Sequence, residues 1–290
     1  MIMDIECVPC YLRQAIRASS MVTRDRRVQE KAVREIMKYL LSIEWNIPPM
    51  LLAPRLYGII RKVTGSNDPY QEVKKLSNKI ALSLYEELKS RIMESTDPLL
   101  SAIKIAIAGN IVDFGALSYS VNIESIRKVV EETLNKPFAI NDYIKFKGKL
   151  KKARTLLYFF DNAGEIVFDK LLIETIMKVT ELEKLTFVVK GGPLINDATV
   201  DDLRDVGLDR IKNSEIKTIS NGDPGTGYPM DSPEILEWIK NNDVVIAKGQ
   251  GNYELLSKVR NVFFMLMVKC HAIARNLNVN VGDIILKYNL

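Results

Sequence analysis

The nine residues DNAGEIVFD, at 161–169, close the apolar run Leu156-Leu157-Tyr158-Phe159-Phe160 and open what reads as a helix. Asp161, Asn162 and Glu165 offer carboxylate and amide oxygens there, without imidazole or thiol, a donor set that suits a hard cation better than zinc. The plain alternative is a strand-to-helix turn with an Asp or Asn cap. Similar chemistry recurs after other apolar runs. Lys190-Gly191-Gly192-Pro193 leads to Asn196 and Asp197; Asn221 and Asp223 lie in NGDPGTG; Lys248-Gly249-Gln250-Gly251-Asn252 and Lys269 each follow a run of their own. A lysine directly after a buried strand is costly unless its charge has a partner. Lys190, Lys248 and Lys269 on one rim therefore point to an anionic ligand, most simply a phosphate, and the carboxylates beside them to a bridging divalent metal.

The elements that must carry these residues alternate in type. Strands are expected at 154–160, 185–190, 215–219, 243–247 and 261–267, with helices near 165–180, 198–206, 231–241 and 252–258. Strands separated by helices make right-handed crossovers and a parallel sheet covered on both faces, and their near-continuous apolar runs fit that burial. Such sheets bind ligands outside the carboxyl ends of their strands, which is where the polar residues collect. Residues 10 to about 135 follow a different period, with apolar positions recurring at three and four in segments such as VREIMKYLLSI and LSNKIALSLYEELKSRIM. Within that half, GNIVDFG interrupts an apolar helix. It reads either as a helix end with a capped successor or as Asn110 and Asp113 held over the rim as a lid, with substrate between the two halves.

Composition removes several classes. The chain has 290 residues, a net charge of +5, three cysteines and a single histidine. No basic face with interleaved aromatics marks a nucleic-acid binder, and TRDRRVQEKAVRE mixes its signs as a solvated helix does. No apolar run is long enough to span a bilayer, and the start MIMDIECVPC lacks a signal-peptide pattern, so a cytoplasmic location with no membrane partner is expected. One histidine leaves little room for a Ser-His-Asp or multi-histidine zinc enzyme, and His271 reads as packed or capping. The dinucleotide fingerprint and the P-loop motif are absent, and Ala163 stands where a D-x-D phosphatase has its second acid. Cys7 and Cys10 form a C-x-x-C that reads as packing thiols, a local disulfide or part of a metal site.

FDNAGEIVFD, VVKGGPLINDAT, NGDPGTG and AKGQGNYE, together with CVPCYLRQA, AGNIVDFG and VKCHAIA, are in order along nearly the whole chain. Taken together they resemble the metal-dependent damage-control phosphatase family, long labelled domain of unknown function 89, and its stand-alone microbial branch with the C-x-x-C. The resemblance implies a helical N-terminal domain, residues 1–150, packed on a Rossmann-like three-layer α/β/α domain with a mostly parallel sheet, residues 151–290. It implies a divalent metal (manganese, cobalt, nickel or magnesium) held by Asp161, Asn162 and Asp197, and hydrolysis of phosphate monoesters of sugars or of damaged phosphorylated metabolites.

On this reading a metal-activated water attacks a small phosphorylated metabolite, with Asp161 also a candidate nucleophile or base. Lys190 and Lys248 contact the phosphoryl oxygens, supported by Lys269 and by backbone N–H groups at Gly249 and Gly251. Asn221, Asp223 and Asn252 orient the organic part or the metal's waters, and Asn110, Asp113, Glu165, Asn196 and Gln250 complete the substrate side. Cys7 and Cys10 are expected to be dispensable, because chemistry by metal-activated water needs no thiolate. The rival activity is S-adenosylmethionine-dependent carboxyl methyl transfer, and the non-enzymatic alternative is a phosphometabolite binder. A homo-oligomer is compatible with the sequence.

Overall fold

The computed structural model describes residues 1–110, 123–221 and 232–290, so Asp113, Asp223 and most of NGDPGTG lie outside the described residues. The helices come first: α1 (Cys7–Val22), α2 (Arg26–Leu41), α3 (Pro49–Thr64), α4 (Gln71–Ser83), α5 (Tyr85–Glu94), α6 (Pro98–Gly109) and α7 (Ile123–Asn135). Their starts follow capping chemistry. Asp25 accepts from Arg27 N ahead of α2, while Asp97 accepts from Leu100 N ahead of α6, which has Pro98 in its first turn. The sequence of α6, PLLSAIKIAIAG, is apolar nearly all round, and a helix of that kind has to be buried. It is buried, packed along α9 (Glu165–Val179).

The remaining elements are β1 (Phe138–Asn141), α8 (Tyr143–Leu150), β2 (Thr155–Phe159), β3 (Lys184–Lys190), α10 (Val200–Asp205), β4 (Ser214–Ile219), α11 (Pro233–Lys240), β5 (Val244–Lys248), α12 (Gly249–Leu256), β6 (Val262–Met267), α13 (His271–Leu277) and β7 (Ile284–Asn289). Among the described residues the strands form one sheet in the order β1-β7-β6-β5-β2-β3-β4, parallel throughout except where β7 runs antiparallel to β6. The fold is thus α/β with a mostly parallel sheet. The five expected strands correspond to β2 through β6. The two at the far edge were not read from sequence: β1 has only four residues of alternating burial, and half of β7 is only partly buried. Because β1 pairs with β7, the sheet takes a strand from residues that precede the change of period near 150.

Helices cover both faces. One face of β2, β3, β5 and β6, with Leu156, Tyr158, Phe187 and Ile246, packs under α6 and α9. The other, with Leu157, Phe159, Val245 and Phe264, packs against α11, α12 and α13. A third core joins α1, α2 and α3, and Leu194 from the segment after β3 is buried in it. The connections from β2 run outward through β3 to β4, then return to β5 on the other side of β2. The carboxyl ends of β2 and β5 therefore flank the point where the winding changes direction, the crevice in which open parallel sheets hold their ligands.

Candidate active site

Past β2 the backbone leaves the sheet abruptly. Phe160 N still donates to Val188 O at 3.0 Å, but next Ala198 N donates to Asp161 O at 2.8 Å and Ala163 N to Asn196 O at 2.9 Å. These two bonds make Asn162 and Asp197 an antiparallel bridge pair, so residues after two neighbouring strands meet. Gly164 then turns the chain into α9 at φ +79°, a conformation that side chains with a Cβ rarely adopt. Its N–H donates to Asn78 Oδ1 at 2.6 Å, and Asn78 Nδ2 reaches Asp202 Oδ1 at 3.0 Å, which ties α4 to both site loops.

The turn brings adjacent side chains together. Asn162 Nδ2 donates to Asp161 Oδ2 at 2.8 Å and to Glu165 Oε2 at 3.2 Å. Asn110, at the end of α6, donates through Nδ2 to the same two oxygens, each at 2.8 Å. It sits at 2% exposure, as part of the floor and not as a lid above it. Lys190 Nζ lies 3.4 Å from Asp197 Oδ2. Burial, and then the charges of Glu165 and Asp197, push the Asp161 carboxyl well above the ordinary range, against the opposing pull of Lys269 and Lys190.

Lys248 is placed elsewhere than the sequence reading put it. It is fully buried, and its ammonium donates to Ala106 O at 2.9 Å, Glu165 Oε1 at 2.6 Å and Asp169 Oδ1 at 2.5 Å. All three protons are thereby used, beneath the site, and none remains for a phosphoryl oxygen. Burial opposes its charge, yet Asp169 and Glu165 hold it above the ordinary lysine range. Asp169, which also accepts from Tyr158 Oη at 2.8 Å, is pushed up to about 7 by burial despite Lys248. Glu165, also fully buried, faces this lysine and the two amides and not a substrate.

A cavity of about 590 Å³ opens above the cluster, lined by Asn110, Asp161, Asn162, Asn196, Asp197, Gln250, Gly251 and Lys269 among others. Gly249 is not on its wall: a Cβ there would fall 1.7 Å from Asp161 Oδ2, so the bare backbone, at φ +74°, is what leaves room for that carboxylate. Asn252 is spent on Phe160 O and Lys248 O, at 3.0 and 2.7 Å, and holds the β5–α12 turn. Asn221 is exposed, with its backbone against Gly192 and away from the cavity.

The opposite wall was not foreseen. Cys7, Cys10, Tyr11 and Gln14 of α1 line it together with Glu254, Cys270 and His271. His271, expected to be packed or capping, is exposed at the start of α13. All three cysteines are free, and burial pushes the Cys7 thiol up to about 11, so it stays protonated at neutral pH. The motifs CVPCYLRQ and VKCH carried the signal, but nothing in their spacing says that residues so far apart share a wall.

Among the described residues no group of three or more His, Cys, Asp or Glu side chains is disposed to hold a metal ion by itself. The expected ligand set mixes two carboxylates with an amide, and the surroundings fit a hard cation. Asn110 Oδ1 is buried beside Asp161 without a hydrogen-bond partner among the described residues. Burial, with the Glu165 and Asp197 charges, outweighs the pull of Lys269 and Lys190 on the Asp161 carboxyl. Oxygen donors short of positive charge are what a divalent ion satisfies.

Comparison with known proteins places the chain in a family. The model of the damage-control phosphatase ARMT1-like domain matches residues 3–285. A damage-control phosphatase of Pyrococcus horikoshii is 34% identical over 290 residues, covering 98% of this chain and 97% of that protein. A damage-control phosphatase of Archaeoglobus fulgidus is 33% identical over 287 residues, covering 97% of each. The crystal structure of a DUF89 family protein from Pyrococcus horikoshii superposes with a TM-score of 0.87 at 32% identity, covering 100% of both chains.

Proposed function

The chain belongs to the damage-control phosphatase ARMT1-like family, and from that premise we propose that it hydrolyses small phosphate monoesters with a divalent cation held by Asp161, Asn162 and Asp197. The observation that carries this reading is the Asn162–Asp197 bridge, which sets two carboxylates and an amide together at the switch point of the sheet. A divalent cation there would supply Lewis acidity toward a phosphoryl oxygen and toward the attacking water.

The chain's own residues do the rest. Two amide groups fix Asp161 Oδ2, so its carboxylate keeps one orientation toward the cavity. The N-terminus of α12, with Gln250 and Gly251 on the cavity wall, favours an anion through its backbone N–H groups. Lys269 is exposed on the cavity wall, with its backbone N–H donating to Gln250 Oε1 at 2.5 Å, and brings positive charge to the side where the phosphoryl group sits. Lys190 faces Asp197 and balances that carboxylate while phosphate enters. Met50, Ala53, Pro49 and Ile195 give the organic part of the substrate an apolar surface.

The test is phosphate release from p-nitrophenyl phosphate by metal-stripped protein. Activity should vanish with EDTA and return with manganese, cobalt, nickel or magnesium. Release that ignores EDTA would overturn the reading, and so would methyl transfer from S-adenosylmethionine with no phosphate released. Among the described residues no helix is long and apolar enough to cross a membrane.

A further inference from the structure

Glu165 opens α9 directly after the Gly164 turn, is fully buried, and divides its two oxygens between different partners. Oε1 accepts from Lys248 Nζ at 2.6 Å, and that ammonium is itself pinned by Ala106 O and Asp169 Oδ1. Oε2 accepts from the amides of Asn110 and Asn162, at 2.8 and 3.2 Å. Each of those amides also donates to Asp161 Oδ2. An amide nitrogen has two N–H donors, so both are spent in each case, on two carboxylate oxygens that accept. Turning either amide over would set its carbonyl oxygen against the same two oxygens, acceptor facing acceptor. Lys248 and Glu165 thus dictate which end of Asn162 looks where. Its nitrogen faces the buried carboxylates, and its carbonyl oxygen is turned the other way, on a residue that lines the cavity. A hard cation takes the oxygen of an amide and not its nitrogen.

We propose that Glu165 is the positioning residue of the cation site: it holds the Asn162 amide with Oδ1 toward the cation, a role that rests on the reading of Asn162 as a ligand. Asp161 Oδ2 holds the same amide, but that carboxylate shares its charge with the cation. Glu165 is anchored from the opposite side by Lys248 and keeps its acceptor for the amides. Partners that orient a metal ligand from behind change metal affinity by about tenfold to a hundredfold when they are lost.

Two variants that differ in one group separate orientation from charge. Both carry Lys248→Met and Asp169→Asn, which remove the other charges of the buried cluster; one adds Glu165→Gln and the other Glu165→Met. Their charge is equal and their volume similar, and only the Gln version has a side-chain acceptor at 165. With the lysine gone, Ala106 O is left for the Gln Nε2, so its Oε1 faces the two amides. Manganese affinity, measured by calorimetry, should be roughly tenfold or more higher in the Gln version than in the Met version. Equal affinities in the two, with wild type binding manganese, overturn the role of Glu165 and leave the cation reading standing. Wild-type protein that binds no manganese overturns that reading, and the role with it. Should the Met version not fold, Glu165→Gln alone decides. There Lys248 keeps Oε1, so Nε2 meets two amides that point N–H groups at it, and manganese affinity should fall roughly tenfold or more from wild type. An unchanged affinity in that variant overturns the role.

Discussion

Replacing Asp161 by Asn should abolish tight divalent-cation binding and cut phosphate release on the order of a thousandfold, the scale of losing a principal charge-stabilising group, while making the cation-free protein more stable. Both effects come from one feature. Burial and the neighbouring Glu165 and Asp197 charges raise the carboxyl of Asp161, so its ionised form is disfavoured in the folded, cation-free chain. A carboxyl raised on folding stabilises the chain below its unfolded pKa, and that contribution is lost as pH rises through the folded value. At neutral pH an amide of the same shape avoids the cost, and a gain of roughly 0.5–2 kcal/mol is the usual scale for relieving such a functional site. Melting curves of both proteins with and without manganese read the two effects together. Manganese should raise the wild-type midpoint and leave that of Asp161→Asn unchanged. A variant no more stable than wild type without cation would show that the cluster is not short of positive charge.

Lys248→Ala should be destabilising by about 3–5 kcal/mol, the cost of removing one partner from a buried ion pair. Lys248 is fully buried, and its loss leaves Glu165 and Asp169 without their 2.6 and 2.5 Å contacts. Lys248→Met combined with Glu165→Gln and Asp169→Asn removes all three charges together and should recover most of that stability. Denaturant unfolding of the two variants checks the order. A Lys248→Ala protein with wild-type stability and only its turnover lost would return the lysine to the substrate, where the sequence reading had placed it.

That misplacement shows where sequence reasoning stopped. Polar residues after buried strands were legible, and Asp161, Asn162, Asn196, Asp197, Gln250, Gly251 and Lys269 do gather round one cavity. Position after a strand says which end of the sheet a residue occupies, but not whether its side chain turns outward. For Lys248 the missing clue was on another helix. Glu165 and Asp169 are four apart in EIVFDKLLI, hence on one face of a helix whose other residues demand burial. Two carboxylates on a buried face require a buried cation, and Lys248 is that cation. The edge strands β1 and β7 were hidden because half-buried residues at the margin of a sheet carry weak periodicity. The thiol wall depends on contacts between α1 and residues 250–272, which Arg275 supports from outside through Asp4 and Glu6 at 2.6 and 3.2 Å. No local rule reaches across that separation.

Where the cation sits decides the account most directly. Crystals grown with manganese should give one strong anomalous peak among the Asp161 carboxylate, the Asn162 amide and the Asp197 carboxylate, and that peak should vanish in Asp161→Asn. A peak at Cys7, Cys10 and Cys270 on the opposite wall, or none at the Asn162–Asp197 bridge at saturating manganese, would contradict it.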